Sequence, residues 1–260
     1  MDYNNKPLIT ILMAAYNAEK TIGQAIDSVV AQTYPNWELF IVNDCSSDST
    51  LMIAESYDDS RIHVLNNERN IGVSLSRKRG LDVANGEWIA ILDSDDMWLP
   101  NKLEKQLALA RSKNAELVYT GSAFIKDDGN PIDWQLHVPD TLTYRKLLKQ
   151  NLISNSSALV RTDLYKKHYV IGDNMHEDYA IWLGVLAGGT IAYGIDEPLL
   201  SYRIGSNTKT SDKKKSAIMN WNTYRARNIS VPHAIYYMFW YTINGMVKHR
   251  NINNGKKTKL

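Results

Sequence analysis

The acidic stretch Asp93-Ser94-Asp95-Asp96 places three carboxylates within four positions. It directly follows an apolar run that ends at Leu92. Carboxylate oxygens are ligands that hard divalent cations such as Mg²⁺ and Mn²⁺ prefer. The alternative interpretation is an acidic loop that caps the helix predicted after Pro100, because Asp is common in turns and caps. These residues alone leave both interpretations open.

Polar residues also follow three other predicted strands. Tyr16 and Asn17 follow the first strand, and Asp44 ends the second. The segment Asn70-Ile71-Gly72 follows the third strand. In an open parallel sheet, ligands bind beyond the carboxyl ends of the strands, so we expect these groups to converge at one edge. Each residue alone is weak evidence for a ligand site, because Tyr16 could be an aromatic at the edge of the core and Asp44 could cap a helix.

Apolar runs alternate with segments of helical period between residues 7 and 126. The predicted strands are residues 8–15, 37–44, 61–67, 87–93 and 115–125, and the predicted helices are residues 18–32, 46–57, 73–85 and 101–112. This alternation predicts an α/β fold, Rossmann-like, with a mostly parallel sheet and helices on both faces. Neither a G-x-G-x-x-G nor a Walker A sequence follows the first strand. The phosphate-binding loops of the commonest nucleotide folds are therefore excluded.

Composition and charge narrow the classes of function further. The 260 residues are 44% hydrophobic and 22% charged, with a net charge of +2, which gives no electrostatic case for nucleic acid as a partner. The single cysteine, Cys45, excludes an internal disulfide and a zinc site of several cysteines. The N-terminus lacks the pattern of a signal peptide, and no run of 18 apolar residues occurs. The sequence therefore predicts a cytoplasmic protein.

A second acidic pair, Glu177 and Asp178, stands at the predicted start of a helix that continues through Ile181 and Val185. The simplest interpretation is favourable negative charge at a helix N-terminus.

The composition changes after residue 216. Residues 231–251 concentrate aromatic side chains, and basic residues follow them, namely Lys248, His249, Arg250, Lys256, Lys257 and Lys259. This combination is typical of a membrane interface. It is equally compatible with a helix packed on the rest of the chain. One helix could do both, with one face docked and its basic end on anionic lipid.

The chain resembles the family 2 glycosyltransferases, which have the GT-A fold. The resemblance covers roughly residues 6–205 and rests on three ordered blocks: "ITILMAAYNAEKTIGQAIDSVVAQTYPNWELFIVNDCSSDST", "NERNIGVSLSRKRGLDVANGEWIAILDSDDMWLP" and "HEDYAIWL". Bacterial members that build O-antigen, capsule or teichuronic-type polysaccharides are the most similar. The resemblance implies a nucleotide-sugar-binding half at residues 1–126, an acceptor and catalytic-base half with a mobile loop at 127–215, and a helical extension at 216–260.

The resemblance implies a UDP-sugar donor and a Mn²⁺ or Mg²⁺ ion that neutralises the leaving diphosphate. Asp93-Ser94-Asp95 matches the D-x-D motif of the family. The implied metal residues are Asp95, by direct contact, and Asp93, through the ribose or a metal-bound water, with Asp96 orienting either. Tyr16 would stack on uracil, and Asp44 would accept its N3–H. The remaining residues of the implied donor site are Ala14, Arg77, Ser94 and Arg203.

The resemblance also implies that Asp178, beside Glu177, is the general base of an inverting hexosyltransferase. An α-linked donor, expected to be UDP-glucose, would give a β-linkage to a lipid-pyrophosphate-linked sugar. The implied setting is synthesis of O-antigen or capsule repeat units at the cytoplasmic face of the inner membrane. Two other classes remain as alternatives, namely a nucleotidyltransferase that makes nucleotide sugars and a non-catalytic sugar-binding module.

Overall fold

A computed structural model describes residues 6–205 and 213–253. The first half of the chain alternates strands and helices as the sequence predicts. Its elements are β1 (Ile9–Ala15), α1 (Ile22–Val30), β2 (Trp37–Asn43), α2 (Thr50–Glu55), β3 (Ile62–Asn66), α3 (Val73–Val83), β4 (Trp88–Ile91), β5 (Met97–Trp98), α4 (Lys102–Lys113) and β6 (Leu117–Lys126). All five predicted strands and all four predicted helices occur. The two-residue strand β5 was not predicted, because so short a segment has no measurable period.

The second half mixes short strands with longer helices. Its elements are β7 (Pro131–Leu136), β8 (Thr141–Leu142), α5 (Tyr144–Leu147), a 3₁₀ turn (Asn155–Ser157), β9 (Leu159–Arg161), α6 (Thr162–His168), α7 (Glu177–Ala187), β10 (Ala192–Ile204), α8 (Lys213–Ala226) and α9 (Val231–Asn253). Helix α7 begins at Glu177, as the sequence predicts. Most of the predicted mobile loop, residues 206–212, lies outside the described residues, as do Lys256, Lys257 and Lys259.

One sheet organises the described chain, with its strands in the order β3-β2-β1-β4-β9-β6-β10-β5. Strands β1, β2, β3 and β4 are mutually parallel, and β6 and β10 are parallel to each other. The prediction of a mostly parallel sheet is therefore confirmed. Strand β9 lies antiparallel between β4 and β6, an insertion that three residues could not reveal in the sequence.

Helices cover both faces of the sheet because side chains alternate along each strand. Ile11 and Met13 of β1 pack in one buried cluster with residues of α1 and α4. Leu12 points to the opposite face and packs in a second cluster with residues of α3 and α7. Helices on both faces were predicted and are confirmed. Strands β1, β2 and β4 are thus buried on both sides, whereas the edge strand β3 is partly exposed. The carboxyl ends of these parallel strands meet at one edge.

The C-terminal helices α8 and α9 pack on the second half of the chain. Tyr224 of α8 is fully buried, and its hydroxyl donates to the Leu148 carbonyl oxygen at 2.7 Å. Tyr237 and Tyr241 of α9 pack against the same buried cluster. The predicted helical extension is confirmed, and so is the packing of part of its aromatic content on the core. Among the described residues, no helix is long and apolar enough to cross a membrane.

Candidate active site

The candidate active site lies at the carboxyl edge of the parallel strands, where β1, β2 and β4 end in the polar segments noted in the sequence. Tyr16 directly follows β1 and is 53% exposed. It is therefore not an aromatic at the edge of the core, and its ring is accessible for stacking. Ala14, the residue before the end of β1, is partly exposed and pairs with Val42 of β2. Their contacts with a nucleotide remain predictions.

The loop after β1 is tied to the loop after β2. Asn17 has a φ of +49°, and its Oδ1 accepts a hydrogen bond from the Ser47 backbone N–H at 2.9 Å. Its own N–H donates to Ser46 Oγ at 3.0 Å. A left-handed conformation suits Asn better than most residues. These bonds hold the two loops together next to Tyr16 in the chain.

Asp44 is buried and organises the loop that follows β3. Its Oδ1 accepts from Asn67 Nδ2 at 2.8 Å and from the Ile71 N–H at 2.9 Å, and its Oδ2 accepts from the Gly72 N–H at 2.9 Å. Asp44 does not cap α2, because Asp48 accepts from the N–H of Thr50 instead. Each carboxylate oxygen can accept more than one hydrogen bond. The predicted contact of Asp44 with uracil stays a prediction.

Arg77 links the acidic loop after β4 to the start of α7. Its side chain is buried and pairs with Asp93 at 2.6 Å and with Glu177. Burial opposes its charge, but these two carboxylates together hold the pKa of Arg77 above its ordinary value. A buried Arg must be paired in this way, since an isolated buried charge is very unfavourable. Its Nε has no hydrogen-bond partner among the described residues. The two acidic motifs of the sequence are thus parts of one ionic cluster.

The three carboxylates after β4 lie in different environments. Asp93 is partly exposed, whereas Asp96 is almost fully buried. Burial and the neighbouring Asp93 raise the pKa of Asp95 to about 6. Burial and the charges of Asp95 and Asp93 raise the pKa of Asp96 well above its ordinary value. Ser94 is partly exposed in the same turn. These carboxylates do not cap α4, whose N-cap residue is Asn101, and the metal-binding interpretation of the stretch stays a prediction.

A divalent cation suits this group of carboxylates because burial and the charge of Asp93 raise the pKa of Asp95, and a cation would stabilise its ionised form. Within residues 6–205 and 213–253, no three His, Cys, Asp or Glu side chains are arranged as a complete metal site. Mg²⁺ is often held by one or two carboxylates, with waters and substrate phosphates completing its shell. Asp95, with Asp93, would be the protein's contribution.

Arg203 is a buried tie between β10 and the acidic loop. Its backbone N–H donates to Asp96 Oδ1 at 2.9 Å, and its Nε donates to the Asp95 carbonyl oxygen at 2.9 Å. Its Nη1 and Nη2 donate to the carbonyl oxygens of Lys126 and Asp127 and to Gln24 Oε1. The described hydrogen bonds of the Arg203 guanidinium are therefore all to oxygen atoms of the protein itself. The implied contact with a diphosphate stays a prediction.

Asp178 and Glu177 form the first turn of α7 but differ in their contacts. Glu177 is buried in its ion pair with Arg77. Asp178 is partly exposed, and burial together with the charge of Glu177 raises its pKa to about 7. A carboxylate with a pKa near neutrality is suited to accept a proton. Helix α8 fixes this turn, because Thr223 Oγ1 accepts from the His176 N–H at 3.0 Å.

Two residues that contact the acidic loop were not predicted from the sequence. Asn155 and Ser156 lie in the 3₁₀ turn before β9, and their side chains hydrogen-bond to Asp93 and Asp96. No local pattern marks them, since "NSS" is also an ordinary loop sequence. What places Asn155 and Ser156 at the acidic loop is the pairing of β9 with β4. This pairing joins segments that are far apart in the sequence.

The sheet with helices on both of its faces has the GT-A architecture of the solved structures that it resembles. Residues 10–175 match the sequence profile described as Glycosyl transferase family 2. The chain belongs to this family.

Relatives and a solved structure agree with this assignment. TuaG of Bacillus subtilis, provisionally named a teichuronic acid biosynthesis glycosyltransferase, is 37% identical over 224 residues, which are 85% of this chain and 89% of TuaG. WfgD of Escherichia coli, named a UDP-Glc:alpha-D-GlcNAc-diphosphoundecaprenol beta-1,3-glucosyltransferase, is 35% identical over 252 residues, which are 96% of this chain and 98% of WfgD. The mannosyltransferase PcManGT of Pyrobaculum calidifontis, solved with GDP-Man and Mn²⁺, superposes with a TM-score of 0.69 at 15% identity, over 90% of this chain and 70% of that one. The resemblance to bacterial polysaccharide glycosyltransferases is confirmed.

Proposed function

We propose that this protein is a metal-dependent inverting hexosyltransferase that transfers glucose from UDP-glucose to a sugar linked to a lipid diphosphate. The observation that carries the proposal is the placement of two carboxylates with raised pKa values, Asp95 and Asp178, in motifs that Arg77 joins. Similarity to WfgD over nearly the whole of both chains supports the choice of donor and acceptor. The product would be β-linked and would form part of a bacterial surface polysaccharide repeat unit.

Donor binding in this proposal uses the loops after β1, β2 and β4. The exposed ring of Tyr16 stacks on the base, and Asp44 holds the loop that closes the base site. Asp93 and Asp95 face the diphosphate, where a Mn²⁺ or Mg²⁺ ion would supply positive charge to stabilise the leaving group. Arg77 keeps the first of these carboxylates in place. Ala14, Ser94, Asp96 and Arg203 remain proposed neighbours of the donor.

The chemical step is a direct displacement at the anomeric carbon. Asp178 accepts the proton of the acceptor hydroxyl as that oxygen attacks from the side opposite the diphosphate. The new carbon–oxygen bond forms while the bond to the β-phosphate oxygen breaks, and UDP leaves with the electron pair. Because attack and departure occur on opposite sides, an α-linked donor gives a β-linked product. Burial and the charge of Glu177 keep the pKa of Asp178 near neutrality, and Glu177 itself is engaged with Arg77 instead of acting as the base.

A donor and product assay separates this function from its alternatives. Purified protein is incubated with Mn²⁺ and UDP-glucose, UDP-galactose or a UDP-N-acetylhexosamine, together with a synthetic lipid-diphosphate GlcNAc or GalNAc. Release of UDP with a glycosylated lipid indicates the transferase. Formation of pyrophosphate from UTP and a sugar phosphate indicates a nucleotidyltransferase. Binding of UDP-sugar with neither product indicates a sugar-binding module. An Asp95→Asn protein is the matched control for metal-dependent turnover.

We also propose that α9 contacts the membrane surface, at the cytoplasmic face where the lipid acceptor would be presented. Ile235 and Phe239 are 58% and 62% exposed and lie four residues apart, on one side of the helix, with the exposed Tyr236 beside them. The opposite side, which includes Ala234 and Tyr237, packs on the core.

Flotation with anionic liposomes tests the membrane contact. The Ile235→Ser/Phe239→Ser protein should lose liposome binding, whereas Met52→Ser, which removes an equally exposed apolar side chain from α2, should retain it. Equal flotation of both variants and the parent protein would contradict the membrane contact. Circular dichroism confirms that each variant is folded.

A further inference from the structure

The acidic loop is braced from behind by the 3₁₀ turn that precedes β9. Strand β9 pairs antiparallel with β4, with Ala90 opposite Leu159. Continuing this register past the end of both strands brings Asp93 opposite Ser156. The backbone N–H of Asp93 indeed donates to Ser156 Oγ at 3.0 Å. The position of the turn therefore follows from the strand pairing.

The hydroxyl of Ser156 joins both ends of the acidic loop. It accepts from the Asp93 N–H and donates to Asp96 Oδ2 at 2.6 Å. Ser156 is completely buried, so water cannot replace these bonds. Its carbonyl oxygen accepts from Trp98 Nε1 at 2.7 Å, which fixes the turn itself. One hydroxyl thus spans the segment that contains Asp95.

Asn155 adds a second contact from the same turn. Its Nδ2 donates to Asp93 Oδ1 at 3.2 Å, the same oxygen that pairs with Arg77. A carboxylate with two defined donors has a restricted orientation. Asp93 is thereby held on its backbone by Ser156 and on its side chain by Asn155 and Arg77.

We propose that Ser156, with Asn155, is a positioning residue for the metal and the diphosphate: it fixes the backbone of the acidic loop so that Asp93 and Asp95 present their carboxylates in one arrangement. Both side chains would act through Asp93 and Asp96, which they contact. Groups that orient metal ligands in this way commonly change metal affinity by 10- to 100-fold when they are removed. The inference rests on the proposed metal-dependent donor site but does not depend on the identity of the sugar or the acceptor.

The chain offers a matched control in the neighbouring residue. Ser157 is also completely buried, and its hydroxyl donates to the Ser154 carbonyl oxygen at 2.7 Å. Its described side-chain bond lies within the turn and does not reach the acidic loop. Each of the variants Ser156→Ala and Ser157→Ala therefore removes one buried hydroxyl from the same turn. Only Ser156→Ala also removes hydrogen bonds to the acidic loop.

The test is calorimetric titration of Mn²⁺ into each full-length protein in the presence of saturating UDP, with thermal unfolding of the metal-free protein measured alongside. Ser156→Ala should raise the Kd for Mn²⁺ at least tenfold, and Ser157→Ala should leave it within about twofold, although both lower Tm. Equal Kd values for Ser156→Ala and the parent, or equal weakening by both variants, would overturn the positioning role.

Asn155→Ala keeps the inference testable if Ser156→Ala does not fold. It should also weaken Mn²⁺ binding, and a folded Asn155→Ala protein with the parent's Kd would overturn the proposal. The outcomes are distinguishable from failure of the proposed function. A parent protein that binds no Mn²⁺ and UDP contradicts the metal-dependent donor site itself, whereas a parent that binds them but transfers no glucose contradicts only the donor or the acceptor.

Discussion

Replacement of Asp178 by Asn should abolish transfer and, at pH 8, make the folded protein more stable. Burial and the charge of Glu177 raise the pKa of Asp178 from 3.8 to about 7. The folded protein therefore binds this proton more tightly than the unfolded chain does. Well above pH 7 the carboxylate is ionised in the folded protein, and its destabilising effect has its full size. The effect disappears as the pH falls towards 4, because the carboxylate is then protonated in the folded protein.

The size of the effect follows from the displacement of the pKa. Each pKa unit corresponds to about 1.4 kcal/mol, so ionised Asp178 lowers the free energy of unfolding by at most about 4 kcal/mol. Asn has nearly the same shape, carries no charge and keeps an acceptor for the Tyr179 N–H, which hydrogen-bonds to Asp178. We expect Asp178→Asn to gain about 2 to 4 kcal/mol at pH 8.

Urea unfolding at pH 8, 6 and 5 measures this gain. The stability difference between Asp178→Asn and the parent should shrink as the pH falls. Asp58→Asn, which changes an exposed carboxylate on the surface, should show no difference at any pH. A variant that is less stable than the parent at pH 8, or a gain that does not depend on pH, would refute the assignment of Asp178 as a carboxylate held at a raised pKa.

Three further predictions follow from the same contacts. With saturating Mn²⁺, kcat/KM should fall roughly 100-fold from its plateau by pH 5, because Asp178 with a pKa of about 7 is then protonated. The Glu177→Gln variant should show this fall at lower pH. An unchanged pH profile in that variant would exclude coupling of the two carboxylates. Arg77→Met should lower the free energy of unfolding, measured with urea, by about 3 to 5 kcal/mol, since it leaves two carboxylates without their cation. A loss below about 1 kcal/mol would contradict a buried ion cluster. Gly86→Ala should lower Tm because the new Cβ would lie 2.5 Å from a backbone nitrogen of β1. As a control, Gly245→Ala on α9 adds a Cβ in open space and should raise Tm slightly. An unchanged Tm for Gly86→Ala would contradict the close contact with β1.

The alternating half of the fold is predictable from sequence because most of its strands are buried on both faces and its helices carry a period of 3.6. The apolar runs around Ile11, Ile41 and Ile89 have the length and composition of buried strands. Strand β9 was not predictable, because three residues carry no period and its place between β4 and β6 is set by pairing across the sheet. The packing of α9 on the core was left open, since aromatic content alone does not distinguish a protein partner from a lipid one.

The candidate site was predicted as a set of residue types, and the structure adds their connections. Asp93 and Glu177 are 84 positions apart, and no local pattern could reveal that Arg77 pairs with both. Asp44 was predicted as a contact of the base, which stays a prediction, and its three side-chain hydrogen bonds show that it organises the loop after β3. Ser156 escaped prediction because its role arises from strand register.

The stereochemistry of the product tests the proposed function most directly. Purified protein, Mn²⁺, UDP-α-glucose labelled with ¹³C at C1 and a synthetic lipid-diphosphate GlcNAc are combined, and the anomeric configuration of the product is read by NMR, with Asp178→Asn as the control. Inverting displacement with Asp178 as the base predicts a β-linked glucoside that forms only with the parent protein and is accompanied by one UDP for each bond. An α-linked product, or a β-linked product formed equally well by Asp178→Asn, would contradict it.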